Sequence, residues 1–261
     1  LYTASVLALK PESGELKWYY QFNPHDTHDW DAGQTPMVVN RRYRGQDRKL
    51  LVQASRNGFL YVFDRTSGQL LLAEKFVDRL NWASGIGKDG RPVLLPGADP
   101  TREGAKGCPS VLGATNWMSV SYNPSTSLFY VMALEACGIY VKPPYRWTPQ
   151  QIPLEPGQKV LRAIDLETGK RVWELPQIGP ADSWGGVLST AGGIVFFGED
   201  SGAFAAADAR TGTDLWHIQT NAATELGDGH SWRASPMTFL AGGKQYVAVA
   251  AGPNILCFGL P

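Results

Sequence analysis

One eleven-residue pattern recurs four times along the chain and constrains the fold more than any other feature. The copies read ALKPESGELKW (8–18), VFDRTSGQLLL (62–72), AIDLETGKRVW (163–173) and AADARTGTDLW (206–216). Each passes from small or apolar residues through an Asp-like position and a two-residue spacer to Thr/Ser-Gly, and three of them carry a tryptophan four positions after the glycine. The turn glycines Gly14, Gly68, Gly169 and Gly212 are spaced by 54, 101 and 43 residues. The pattern is that of a hairpin: an alternating strand ends at the acid, and Thr/Ser-Gly reverses the chain because glycine accepts positive φ. The returning strand then carries Trp18, Trp173 or Trp216 onto a packing surface.

A single hairpin cannot bury its own faces, so the copies must stack. Strand-only repeats of about 45–50 residues indicate the four-stranded antiparallel blades of an all-β β-propeller. GGIVFFGEDSG (192–202), KQYVAVAAG (244–252) and NILCFGL (254–260) supply further strands. The expected division is a half blade over 1–22, blades over 35–77, 110–176 and 184–220, and a final blade over 232–261. The 101-residue gap is one blade with long Gly- and Pro-rich excursions at 78–115 and 140–158. No stretch has the 3.6-residue period of an amphipathic helix. Starting with half a blade implies earlier strands, so the expected partner is either a missing N-terminal half or another copy of the chain.

Balanced charge, with 24 basic and 24 acidic residues, gives no electrostatic footprint for nucleic acid or an anionic membrane. No apolar run reaches the roughly 18 residues of a transmembrane segment. Three cysteines, Cys108, Cys137 and Cys257, allow one pair plus a leftover or three reduced thiols. Cys108 and Cys137 lie in loop-like segments, GCPS and EACG, whereas Cys257 in an apolar run reads as a small core residue. The four histidines, His25, His28, His217 and His230, show no metal-ligand spacing.

At its turn motif the chain resembles the C-terminal half of the quinoprotein alcohol dehydrogenases, enzymes that use pyrroloquinoline quinone (PQQ) and whose eight blades carry AxDxxTGxxxW docking motifs. The resemblance runs through essentially the whole chain and implies about half of an eight-bladed ring. In WYYQFNPHDTHDWDAGQTP (18–36) it makes Asp29 the catalytic base. Asp31, pointing the same way if the segment is extended, joins Asp29 beside a Ca²⁺ or lanthanide ion. His28 stands where many relatives have tryptophan. In LVQASRNGFLYVFDRTSG (51–68), Arg56 precedes the Asn57-Gly58 hairpin signal and falls where the family places an arginine against the quinone carbonyls. In GCPSVLGATNWMSVSYNP (107–124), Asn116 matches a PQQ-binding asparagine, with Trp117 at the cofactor, at the entrance or wedged between blades. In SWGGVLSTAGGIVFFGEDSG (183–202), Trp184 and Gly185 resemble the segment that approaches a PQQ carboxylate. The resemblance also implies a Cys108–Cys137 disulfide and hence a periplasmic or secreted protein.

GDGHSWRASP (227–236) offers Trp232 or Arg233 as a border to the cofactor, but neither is assigned to the site, and His217 is expected to be structural. The family's remaining metal ligands, its vicinal disulfide and its quinone-stacking tryptophan belong to the N-terminal half, and no CxxCH haem site occurs. The implied activity is oxidation of an alcohol, polyol or sugar hydroxyl to a carbonyl, with electrons passing to cytochrome c or a quinone. The isolated chain is expected to be inactive. The rival reading is a non-catalytic propeller serving as a binding or assembly scaffold, which has no need to gather Asp29, Asp31, Arg56 and Asn116.

Overall fold

The computed structural model describes residues 1–142, 150–151, 155–181, 183–220 and 232–259, and among these every regular element is a β-strand. In chain order they are β1 (Ser5–Leu9), β2 (Leu16–Gln21), β3 (Met37–Tyr43), β4 (Gln46–Ala54), β5 (Phe59–Asp64), β6 (Leu70–Lys75), β7 (Ala83–Ile86), β8 (Pro92–Leu94), β9 (Ala105–Gly107), β10 (Ser121–Asn123) and β11 (Leu128–Glu135). There follow β12 (Gly138–Tyr140), β13 (Gln150–Gln151), β14 (Gln158–Asp165), β15 (Arg171–Pro176), β16 (Val187–Ser189), β17 (Ile194–Gly198), β18 (Ala203–Asp208), β19 (Asp214–Gln219), β20 (Met237–Ala241), β21 (Lys244–Ala251) and β22 (Asn254–Gly259). Three sheets have four antiparallel strands, β3-β4-β5-β6, β10-β11-β14-β15 and β16-β17-β18-β19. The pair β1-β2 and the triplet β20-β21-β22 complete the series, while the excursions form the small sheets β7-β8 and β13-β12-β9.

All four copies of the repeat make the same turn. In the second, the Gly68 amide donates to the Asp64 carbonyl at 2.8 Å and the Asp64 amide to the Gln69 carbonyl at 2.9 Å. In the fourth, Gly212 and Asp208 repeat these bonds at 2.9 and 2.8 Å. The acid caps its own turn: Asp64 Oδ1 accepts from the Thr66 amide at 3.0 Å, and Asp208 Oδ1 from the Arg210 and Thr211 amides at 2.9 Å each. The Thr66 hydroxyl, followed by the Thr66 amide, holds the Asp64 carboxyl below the usual carboxylate pKa, and the Thr211 and Arg210 amides do the same for Asp208. Every pairing slips by one residue just before the acid, or before Lys10 in the first copy, at Ala8/Leu9, Val62/Phe63, Ala163/Ile164 and Ala206/Ala207. This is the bulge expected where a glycine in the left-handed region closes a hairpin.

The tryptophans dock on these turns. A β-carbon on Gly68 (φ +77°) would lie 2.7 Å from the Trp18 ring, and one on Gly212 (φ +75°) 2.7 Å from the Trp173 ring. Each indole also donates to the residue after the acid, Trp18 to the Arg65 carbonyl at 3.0 Å and Trp173 to the Ala209 carbonyl at 3.2 Å. The copy without tryptophan sends Leu72 and Glu74 against Gly169 instead. Trp216, more exposed, packs edge-on to Phe258 at 5.4 Å.

The chain divides into two compact units, one of Leu1–Asn116, Leu134–Gly157 and Leu166–Lys170, the other of Trp117–Ala133, Gln158–Asp165 and Arg171–Pro261. The first has an aromatic core of Phe22, Trp30, Phe59, Tyr61, Phe63 and Trp82. The second is filled by Tyr130, Met132, Leu161, Val195 and Phe197 with small alanines facing them, and by a smaller cluster around Phe204 and Trp232.

Cys108 and Cys137, both buried, form a disulfide. Cys257 is free and exposed, not a core residue. It lies on β22, the last strand of its sheet, where alternation turns Ile255 and Cys257 outward and Leu256 and Phe258 against the Phe204 cluster.

Two stability measurements check this packing. Gly45, at φ +80°, has open space around its Cα, so Gly45→Ala carries only the cost of the left-handed conformation, about 1 kcal/mol. Gly68→Ala adds a clash with Trp18 and costs roughly 2–4 kcal/mol in total, so its thermal midpoint falls further than that of Gly45→Ala. Replacing both Cys108 and Cys137 by serine opens a loop with a sequence separation of 29 residues. This lowers stability to chemical denaturation by about 3–4 kcal/mol in the chain-entropy description.

Candidate cofactor and catalytic site

The first unit holds Asp29, Asp31, Arg56 and Asn116. Arg56 leaves the end of β4 on the turn to β5, whose conformation is set by its neighbour Asn57. The Asn57 side chain is fully buried and donates to Asn23 Oδ1 at 2.9 Å, to the Tyr61 hydroxyl at 3.0 Å and to the Phe22 carbonyl at 3.4 Å. Its Oδ1 accepts from the Phe59 amide at 3.1 Å, and its carbonyl from the Trp82 indole at 2.8 Å. Asn23 in turn donates to the Trp30 carbonyl at 2.9 Å. A chain of hydrogen bonds thus runs from the residue after Arg56 to the residue after Asp29. The sequence reading missed both asparagines: Asn57 was visible only as half of a turn signal, and its partner lies 34 residues away.

Arg56 is largely buried. It donates through Nη2 to the Val111 carbonyl, and Nη1 lies 3.8 Å from Asp31 Oδ2. Its Nε is buried without a hydrogen-bond partner. Gly113, at φ +80°, lets the loop close over it, since a β-carbon there would meet Arg56 Cβ at 2.6 Å. Asn116 ends the same loop and donates to the Leu112 carbonyl at 2.9 Å.

Asp29 is exposed and sits in the left-handed region at φ +61°. The segment from Asp29 to Asp31 is therefore not extended, contrary to the condition on which the two carboxylates were expected to point the same way. They are nonetheless coupled. Loss of hydration and then repulsion from Asp31 raise the Asp29 pKa above the ordinary carboxylate value, with Arg56 opposing. His28 lies flat on Trp30 at 4.2 Å and edge-on to Tyr140 at 4.8 Å, with Nε2 donating to the Ala98 carbonyl at 2.8 Å. Burial pushes its pKa down, so it packs as a neutral ring. The Trp30 indole donates to the Ser110 carbonyl at 3.0 Å.

Trp184 and Gly185 belong to the second unit. Trp184 is stacked on Trp117 at 5.7 Å with 9° between the planes, and the buried Lys159 ammonium lies 5.1 Å from its ring centroid. Trp117 is 49% exposed. Gly185 is buried, and a β-carbon there would meet Trp232 at 2.9 Å. The glycine thus makes room for a protein side chain. Trp232 is itself a core residue, its indole donating to the Ala203 carbonyl at 2.8 Å and its carbonyl accepting from the Trp184 amide at 2.7 Å. Arg233 and His25 are exposed. His217 is also exposed and faces Asp214 at 3.3 Å, while His230 lies outside the described residues.

The observations fit a quinone and a hard cation. Buried Nε of Arg56 is a donor awaiting an acceptor, which a carbonyl or carboxylate oxygen supplies. Two coupled carboxylates sharing one guanidinium leave negative charge that an oxygen-seeking cation balances. Among the described residues no three His, Cys, Asp or Glu side chains converge, so Asp29 and Asp31 do not by themselves make a complete cation site. No helix among the described residues is long and apolar enough to cross a membrane.

Residues 1–78 and 161–247 match the family model described as PQQ, glucose/ethanol/alcohol dehydrogenase, β-propeller domain. The matched segments contain Asp29, Asp31, Arg56, Trp184 and Gly185, whereas Asn116 and the disulfide fall between them. The chain is 39% identical over 269 residues to the quinoprotein alcohol dehydrogenase PedH of Pseudomonas putida, covering 97% of this chain and 44% of that protein. Identity to the quinoprotein ethanol dehydrogenase of Pseudomonas aeruginosa is 36% over 274 residues, covering 97% and 42%. Among solved structures, the quinohemoprotein alcohol dehydrogenase of Comamonas testosteroni aligns with a TM-score of 0.85 at 32% identity, over 97% of this chain and 39% of that one. A europium-containing methanol dehydrogenase aligns with a TM-score of 0.78 at 32% identity, over 95% and 44%. The chain therefore spans less than half the length of these relatives. With its repeated hairpins, its four-stranded antiparallel sheets and these matches, the chain belongs to the PQQ-dependent glucose/ethanol/alcohol dehydrogenase β-propeller family.

Proposed function

We propose that the protein carrying this chain oxidises a primary alcohol, polyol or sugar hydroxyl to a carbonyl with PQQ, and that this chain supplies the catalytic base and the arginine of the site. The observation that carries the reading is the buried, unpartnered Nε of Arg56 beside the coupled carboxylates Asp29 and Asp31. When bound, PQQ provides a two-electron acceptor for the hydride leaving the alcohol carbon, and a Ca²⁺ or lanthanide ion provides Lewis acidity beside it.

Asp29 accepts the hydroxyl proton at a carboxylate oxygen as the carbon–oxygen double bond forms. Arg56 presents its guanidinium to the quinone oxygens and stabilises the negative charge that arrives with the hydride. Asp31 balances Arg56 and, with Asp29, offers oxygens to the cation. Asn116 offers its side-chain amide to the cofactor. Electrons then leave for a cytochrome c or a quinone, and the buried disulfide suits a periplasmic or secreted protein.

Full-length protein prepared without cofactor and titrated with PQQ and either Ca²⁺ or La³⁺ tests these roles. Asp29→Asn is expected to lower kcat by roughly 10²–10⁴-fold while PQQ still binds. Arg56→Ala is expected to weaken PQQ binding, measured by absorbance titration, and to lower kcat at saturation by about 10²-fold. Asp31→Ala moves metal preference from La³⁺ toward Ca²⁺, because the trivalent ion loses a hard anionic ligand. Full turnover by Asp29→Asn contradicts the assignment of the base.

A further inference from the structure

Asp29 adopts a left-handed backbone conformation, one uncommon for residues with a side chain although aspartate takes it more readily than most. A neighbouring residue holds the chain there. Asp26 accepts from the His28 amide through Oδ1 at 3.0 Å and from the Trp30 amide through Oδ2 at 2.7 Å. One carboxylate therefore grips the two N–H groups that flank Asp29, and its two oxygens allow both bonds at once.

Both gripped residues are themselves anchored. His28 is tied to the Ala98 carbonyl, and Trp30 to Ser110 through its indole and to Asn23 through its carbonyl. Asp26, His28 and Trp30 line a cavity of about 250 Å³ with Trp82, and Asp29 is absent from its wall. The clamp faces the cavity.

We infer that Asp26 is a positioning residue, which fixes Asp29 in its left-handed conformation and so aims its carboxylate at the reacting hydroxyl. The inference rests on the reading of Asp29 as the base. It gives a role to an acid that neither the sequence nor the mechanism above employs.

The test uses the full-length holoenzyme with Asp26→Ala and Asp26→Asn, read by backbone amide hydrogen exchange and by steady-state kinetics. Asp26→Ala is expected to speed exchange at the His28 and Trp30 amides by tenfold or more, with exchange at core residue Tyr61 unchanged. Its kcat should fall about 10–100-fold, the size of effect that small misplacements of a reacting group produce. KM and PQQ affinity should stay within about threefold. Asp26→Asn keeps one acceptor oxygen, so it should leave one of the two amides protected and recover most of kcat. It also carries the test if the alanine variant does not fold. Wild-type exchange at both amides, or loss of protection with kcat unchanged, overturns the proposal. If Asp29→Asn instead retained turnover, the base assignment would fail by itself, and the exchange data would still report on the clamp.

Discussion

The seating of an indole on the bare Cα of a left-handed glycine is the contact on which the architecture rests. Trp18 on Gly68 and Trp173 on Gly212 share the same geometry, down to the indole N–H bonded to the carbonyl after the turn acid. The contact has two demands that cannot be relaxed separately. The turn needs positive φ to close the bulged hairpin, and the absent side chain leaves the volume that the tryptophan fills. A sheet with both faces apolar, such as β3-β4-β5-β6, has burial to gain from a neighbour, and the docked tryptophan fixes the register at which one is accepted. The loops at the strand ends are thereby delivered to fixed places.

From that scaffold the candidate site is assembled by hydrogen bonds, not by packing alone. Asn57 and Asn23 are buried amides with their capacity well used, and together they connect the turn bearing Arg56 to the loop bearing Asp29. A fully paired polar network in a low-dielectric interior is strong and geometrically exacting. Two loops tied in this way keep their relative placement. His28, stacked on Trp30 and held neutral by burial, keeps the same loop apolar underneath.

Legibility in the sequence followed the range of the interactions. The repeated turn was readable because its causes, an acid capping its own amides and a glycine at positive φ, lie within five residues. The Asn57-Gly58 reversal was readable for the same reason. Asn57 as a hub was not, since its partner Asn23 carries no local signal. Cys257 was misjudged because an apolar run does not reveal which face of an edge strand is covered. That Gly185 also leaves space for Trp232 was not legible, because Trp232 is distant in sequence and invisible to motif spacing. Asp29 offered one clue that went unused: aspartate is among the few residues enriched in the left-handed region.

The central claim is that Arg56 stands with a buried donor waiting for a quinone oxygen while Asp29 stands ready beside it. A crystal structure of the full-length protein with PQQ and its cation bound tests this most directly. The account predicts a cofactor oxygen within hydrogen-bonding distance of the Arg56 guanidinium, the Val111 contact retained, and an Asp29 carboxylate oxygen facing the reactive quinone carbon. PQQ bound away from Arg56, with Nε still unpartnered, would contradict it.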